Sequence, residues 1–165
     1  MPKYLIIDGY NAISKIREFD LKKDISLEVA RLSFIKMLQE FMLKKRVFDK
    51  ILVVFDSKEK ALGVRKHVYG NVEAHFATYD RDADNVIVDM LRAATPKDEI
   101  IVCSDDNFIR NHARAFSREA LSIKEFQGII MLKPKPFSSK IEHEGIEKQK
   151  IKDINEELKK HWRIE

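Results

Sequence analysis

Lys3-Tyr4-Leu5-Ile6-Ile7-Asp8-Gly9 is the stretch on which the reading of the fold turns. A short apolar run closes on a carboxylate and then a glycine, the pattern of a buried strand followed by a turn. The pattern returns twice: Ile51-Leu52-Val53-Val54-Phe55 runs into Asp56, and Glu99-Ile100-Ile101-Val102-Cys103 runs into Ser104-Asp105-Asp106. Strands that are apolar throughout, instead of at every second residue, are buried on both faces, as in a parallel sheet covered by helices.

The segments between them supply the helices. From Leu27 to about Arg46, apolar residues recur at Leu27, Ala30, Phe34, Leu38, Phe41 and Met42, and spacings of three and four mark an amphipathic helix. Ser26 is placed to cap it. Val72 to Phe76 predicts a third, shorter strand. Asp84 to Ala94 predicts a helix with Val88 and Leu91 on the face of Asp84, stopped before Pro96. A further helix is expected from Asn107 to Ala115, a last strand from Ala120 to Ile123, and a short helical turn from Lys124 to Gln127. Strands alternating with helices imply right-handed β-α-β units. The expected fold class is therefore α/β, a central, mainly parallel sheet with helices on both faces.

The 165 residues suit one domain, here residues 1–132. Lys133-Pro134-Lys135-Pro136 reads as a linker, and residues 133–165 as linker plus a charged C-terminal helix with Ile151, Ile154, Leu158 and Trp162 at helical spacing. That helix is either packed on the domain or an arm that grips RNA or a partner.

Composition narrows the class. With 44% hydrophobic and 35% charged residues the chain reads as soluble and globular, and a net charge of +4 permits a polyanionic partner without requiring one. The single cysteine, Cys103, excludes a disulfide framework and a thiolate zinc site, and reads as a buried thiol. No apolar stretch reaches the length of a membrane span, and the N-terminus lacks a signal-peptide layout. No membrane partner and a cytoplasmic location are expected. His67, His75, His112, His143 and His161 show no zinc-type spacing. No Gly-x-Ser-x-Gly elbow, P-loop or Gly-x-Gly-x-x-Gly is found. Asp80-Arg81-Asp82-Ala83-Asp84-Asn85 starts like an EF-hand loop, but Asn85 replaces its glycine and Leu91 its closing glutamate.

What remains is the row of acids. Asp8, Asp56 and Asp105 each end a strand, and Asp84 starts a helix after the third candidate strand. In open parallel sheets the carboxyl ends of the strands form the ligand crevice, so these four can converge. Gathered carboxylates cannot all stay ionised unless a cation neutralises them. Oxygen ligands suit a hard divalent cation, Mg²⁺ or Mn²⁺. Such a site suits phosphodiester hydrolysis, by activating a bound water and stabilising charge on phosphate oxygens. Arg81, Arg110, Arg114 and Arg118 lie near the acidic motifs in sequence and are candidates to hold phosphates.

Read as motifs, the same residues become familiar. Ile6-Ile7-Asp8-Gly9-Tyr10-Asn11-Ala12-Ile13 closely resembles the opening motif of the NYN domain, a branch of the PIN-like nucleases. Val53-Val54-Phe55-Asp56 looks like its second motif, Asp82-Ala83-Asp84-Asn85-Val86-Ile87 its helix-start motif, and Ser104-Asp105-Asp106 its strand-end motif. Ala120-Leu121-Ser122-Ile123-Lys124-Glu125-Phe126 resembles the final strand and short helix. Order and spacing most resemble the YacP-like subgroup of bacterial endoribonucleases, over roughly residues 3 to 128. The resemblance implies a PIN-like three-layer α/β/α fold, a Mg²⁺ or Mn²⁺ site, and single-stranded RNA as substrate. It implies Asp8, Asp56, Asp84 and Asp105 as metal-binding catalytic acids. Asn11 would orient a phosphate or an acid, Ser104 would fix a carboxylate rotamer, and Asp106 would assist through metal-bound water. It also implies that a basic loop after Asp56, here with Lys58, Lys60, Arg65 and Lys66, meets RNA; a solvated loop is the plainer reading. The RNA partner is mRNA, tRNA or rRNA, and the ribosome is a further candidate.

Three functions compete. The first is a metal-dependent endoribonuclease. The second is a non-catalytic RNA-binding protein that retains the fold, against which the retained acids count, because carboxylates repel phosphates. The third is an aspartate-based phosphatase of the haloacid dehalogenase type, which resembles Asp-x-Asp at the first strand end; Tyr10 stands where its second acid is needed.

Overall fold

The computed structural model describes residues 2–56, 65–77 and 81–130. Lys58 and Lys60, and the linker and C-terminal helix read at 133–165, lie outside the described residues. The elements in chain order are β1 (Lys3–Asp8), α1 (Gly9–Lys15), α2 (Arg17–Lys23), α3 (Leu27–Lys44), β2 (Lys50–Phe55), β3 (Arg65–Tyr69), β4 (Val72–Phe76), α4 (Ala83–Ala93), β5 (Glu99–Cys103), α5 (Asn107–Ala115), β6 (Glu119–Leu121) and α6 (Ile123–Ile130). Six strands form one sheet in the order β3-β4-β2-β1-β5-β6. All neighbours are parallel except β3 and β4, which are antiparallel.

Alternation along each strand divides the core between two faces. Ile6, Val54 and Val102 pack with Val86, Ile87 and Leu91 of α4 and Ile109 and Ala113 of α5. On the other face the Phe19 ring meets Phe34 edge-on at 5.2 Å, and Phe34 meets Phe126 at 6.2 Å, tying α2, α3 and α6 together. The result is the three-layer α/β/α arrangement. The Ser26 side chain caps α3, accepting from the Val29 amide at 3.0 Å. Among the described residues no helix is long and apolar enough to cross a membrane.

Three segments differ from the sequence reading. Gly9 opens a helix, not a turn: α1 and α2 follow β1, broken only at Ile16, whose backbone is extended. Their buried residues Ala12, Ile13, Ile16 and Phe19 do carry a spacing of three and four, but Gly9 and Asn11 are poor helix formers and hide it. Arg65 and Lys66 lie on the edge strand β3, not in a loop. The strand is exposed along its length and so has no apolar signature; it pairs with β4 through a turn at Gly70, whose φ of +64° is the left-handed conformation glycine tolerates. The last strand is Glu119–Leu121, and Ile123 already belongs to α6, which runs to Ile130.

Gly9 is set by space. A Cβ there would sit 2.4 Å from the Phe55 ring and 3.0 Å from Val53, and both are fully buried. Gly9→Ala is expected to lower stability by about 1–3 kcal/mol, the usual cost of overpacking a tight core, as read by urea unfolding. An unchanged midpoint would show that Phe55 can move aside.

Candidate active site

Asp8 ends the central strand and Asp56 directly follows β2, which pairs with it. Both share the strand parity of Ile6 and Val54, so both belong to the side of the sheet covered by α4 and α5. Those two helices begin at the same rim. Asp82 caps α4, accepting from the Asn85 amide at 2.9 Å, and Asp106 caps α5, accepting from the Phe108 amide at 2.7 Å. Two helix N-termini therefore face the strand ends and favour negative charge there. Asp84 lies in the first turn of α4.

Asp8 is only 9% exposed. Its Oδ2 accepts a 3.2 Å hydrogen bond from the Ser104 hydroxyl. Burial, followed by the negative charges of Asp84, Asp56 and Asp106, pushes its pKa up to about 7, against the opposing effect of Ser104. Asp84 is raised to about 6, first by burial and then by Asp106, Asp82 and Asp56. Asp56 also accepts from the Ala83 amide at 2.6 Å, joining β2 to the start of α4.

Asp105 has a different environment. Its Oδ1 accepts from the Ile123 amide at 2.9 Å and its Oδ2 meets Lys15 Nζ at 3.0 Å. Although burial opposes it, these contacts and the Lys15 and Arg110 charges hold its pKa below the ordinary range. The carboxylate that faces Asp8 and Asp84 from the end of β5 is thus Asp106. Asn11 holds this loop from α1, its Oδ1 accepting from the Asp105 amide at 3.1 Å. The fully buried Ser104 ties the loop together: its hydroxyl also accepts from the Asp106 amide at 3.0 Å, and its amide bonds to the Leu121 carbonyl.

The basic residues scatter. Arg110, in the first turn of α5, donates to the Ser104 carbonyl at 3.1 Å and so stands beside the acids. Arg81 is paired with Asp89 of α4. Arg114 is exposed one turn further along α5. Arg118 is at the opposite end of the sheet, before the start of β5, donating to the carbonyls of Asp98 and Thr95; its guanidinium serves the α4–β5 connection. Arg65 and Lys66 begin β3, opposite Phe76 and His75 at the end of β4, and so stand at the same rim as the acids. Lys66 also reaches Glu73 at 3.9 Å. Burial alone would raise Glu73, but hydrogen bonds from Lys50 and His75 hold it down.

The model of the YacP-like NYN domain matches residues 5–164. The chain belongs to the YacP-like NYN family. This family is one of PIN-like nucleases, and this chain's fold is similar to solved structures, two of which follow. One is Rae1 (YacP) from Bacillus subtilis, 21% identical, covering 98% of this chain and 87% of that one with a TM-score of 0.61. The other is a point variant of the same protein, also 21% identical, covering 78% and 74% with a TM-score of 0.62. Comparison with curated proteins returns no match.

Among the described residues no three acid, histidine or cysteine side chains are grouped closely enough to hold a metal ion as they stand. The donor chemistry of this YacP-like NYN domain nevertheless fits a hard divalent cation: the acids are oxygen donors, and Asp8 and Asp84 are raised by burial and then by neighbouring negative charge, which a cation would relieve. Mg²⁺ keeps much of its water and needs only one or two carboxylates. Residues that the sequence reading passed over also stand at this rim. Tyr10, two residues past Asp8, receives a 2.9 Å hydrogen bond from Arg31 of α3. Tyr10, Phe55 and Phe76 form a chain of ring contacts at 5.0 and 5.4 Å, with His67 edge-on to Phe76 at 5.6 Å. Their signal was the position of Tyr10, Phe55 and Phe76 beside strand ends; Arg31 had none.

The raised Asp8 pKa sets the pH dependence of the metal-free fold. Unfolded, Asp8 releases its proton near 3.8; folded, near 7. Between these values the folded chain binds more protons, so its stability falls as pH rises through that window and stays lower above it. The effect is about 4 kcal/mol at most. Asp8→Asn keeps an acceptor for Ser104 and is expected to unfold several degrees higher than the parent at about pH 8, with little difference near pH 4. A variant that melts lower at pH 8 would refute the burial argument.

Proposed function

We propose that this chain is a divalent-metal-dependent endoribonuclease that hydrolyses phosphodiester bonds of single-stranded RNA. The observation that carries the reading is that Asp8, Asp56, Asp84 and Asp106 stand at one rim where two helices begin, near enough for their charges, after burial, to raise Asp8 and Asp84. Carboxylates destabilised by one another are a poor choice for binding phosphate alone and a good one for binding a cation that binds phosphate.

Asp8 and Asp84 would hold Mg²⁺ or Mn²⁺, with Asp56 and Asp106 contributing through their remaining oxygens or through bound water. When bound, the metal supplies charge stabilisation at phosphate oxygens and a more acidic water. Ser104 keeps the Asp8 carboxylate in one orientation. The amides at the starts of α4 and α5 give a phosphate partial positive charge to approach. Asn11 and Asp105, joined through the Asp105 amide, position the loop that carries Ser104 and Asp106, and Lys15 keeps Asp105 from adding to the repulsion.

A non-catalytic RNA-binding protein with the same fold is the second reading, favoured by the lack of three grouped metal ligands among the described residues. Cleavage decides between them. Labelled single-stranded RNA should be cut with Mg²⁺ or Mn²⁺, and not in EDTA or by Asp8→Asn or Asp84→Asn. Binding without cleavage by the parent, with or without metal, would establish the second reading.

The positioning role of Asp105 has its own test. Asp106→Asn still caps α5 but loses its charge, and is expected to slow cleavage about a hundredfold or more, the scale of losing a transition-state electrostatic contact. Asp105→Asn is expected to slow it by about tenfold or less while lowering thermal stability. The reverse order would make Asp105 the ligand.

A further inference from the structure

Arg31 is a half-buried cation whose partners are neutral. Its guanidinium donates to the Tyr10 hydroxyl at 2.9 Å and lies 5.4 Å from the Phe76 ring centre; no carboxylate pairs with it among the described residues. A guanidinium has five N–H donors, of which the described residues engage one, through Tyr10. Beside it stands a surface of rings. Phe76 is half-buried, stacked on the fully buried Phe55 and touched edge-on by the exposed His67. Phe55 precedes Asp56, Phe76 pairs with Phe55, and Tyr10 follows Asp8 by two residues. The cluster therefore occupies the same rim as the acids but the other face of the sheet, the side of α3.

A cation with no carboxylate partner among the described residues, next to aromatic rings, matches one nucleotide: the phosphate meets the guanidinium and the base stacks on the exposed His67 ring, which Phe76 supports edge-on. A double helix could not offer its base face to such a platform, whereas a single strand can. We infer that Arg31, Tyr10, His67 and Phe76 form a nucleotide subsite that seats one unpaired base and its phosphate across the rim from the acidic residues, so that the strand crosses the ends of β1 and β2. This rests on the proposed action on RNA and adds to it a requirement for an unpaired base at a fixed offset from the cut. Tyr10 is a positioning residue here, holding the guanidinium over Phe76.

Binding in EDTA separates this from cleavage. With a short fluorescent single-stranded RNA, His67→Ala and Phe76→Leu are each expected to weaken binding about tenfold, the scale of one stacked base. Arg31→Met is expected to flatten the dependence of log K on log salt by about 0.7, one phosphate contact on a single strand. Scanning one abasic nucleotide along the RNA should find a position where the parent loses about the same tenfold and His67→Ala loses nothing more. His67 is exposed, so its replacement spares the core even if Phe76→Leu unfolds the chain. Binding by His67→Ala and Arg31→Met within about twofold of the parent, well below a stacking contribution, would overturn the subsite. A parent that binds the RNA but never cuts it would retain the subsite and remove only the nuclease reading; one that binds none in EDTA yet cuts with Mg²⁺ or Mn²⁺ would overturn the subsite alone, and one that neither binds nor cuts single-stranded RNA would overturn both.

Discussion

The rest of the site depends on one unfavourable placement, the carboxyl of Asp8 at the end of the central strand. Parallel neighbours on both sides, β2 and β5, fix the strand, and Ser104 fixes the side chain. A buried acid with one hydroxyl donor is costly when ionised. The fold accommodates it by holding its proton near neutral pH, which leaves the group responsive to any cation that comes close. Ser104 can perform this task because its own backbone is anchored to β6 and its hydroxyl is also engaged by the Asp106 amide. Burial of Asp8, geometry of the β5–α5 loop and orientation of Asp106 are thus one arrangement.

Negative charge in that arrangement is rationed by position. Asp56 and Asp82 are partly compensated by amides at the start of α4, and Asp106 by an amide at the start of α5. Asp105 is withdrawn from the group by Lys15 and by the start of α6. Without that withdrawal a further charge would bear on Asp8. The residues next to the acids therefore divide into those that face the crevice and those that make such crowding tolerable.

Most of the architecture was legible because burial writes itself into sequence. β1, β2 and β5 are continuous apolar runs, and α3 and α4 carry clear spacings. The three surprises have separate causes. Gly9 and Asn11 mask the helical spacing of α1 and α2, β3 is exposed along its length and so lacks an apolar signature, and the start of α6 is held by Asp105, far away in sequence, as well as by Ser122. The site was legible to the same depth. Which strand ends carry acids can be read from the chain, since topology alone brings them to one rim. Which of Asp105 and Asp106 turns inward cannot, because that is decided by Lys15 and Ile123, partners found only in three dimensions. Arg118 shows the same limit: it neighbours the acidic motifs along the chain but sits at the far end of the sheet, because α5 carries the backbone across the domain.

The exposed strand β3 has a meaning apart from RNA. It is the outermost strand of the sheet, so among the described residues one side of its backbone has no neighbouring strand, and an edge strand is a template on which other chains can assemble. Arg65-Lys66-His67 places consecutive basic residues along that margin. Bringing two copies together there would set like charges against each other, so the strand discourages self-assembly while remaining attractive to polyanions. Neutralising these residues would put colloidal behaviour at risk as well as ligand affinity, and a loss of solubility in such variants has its origin in the sheet margin itself.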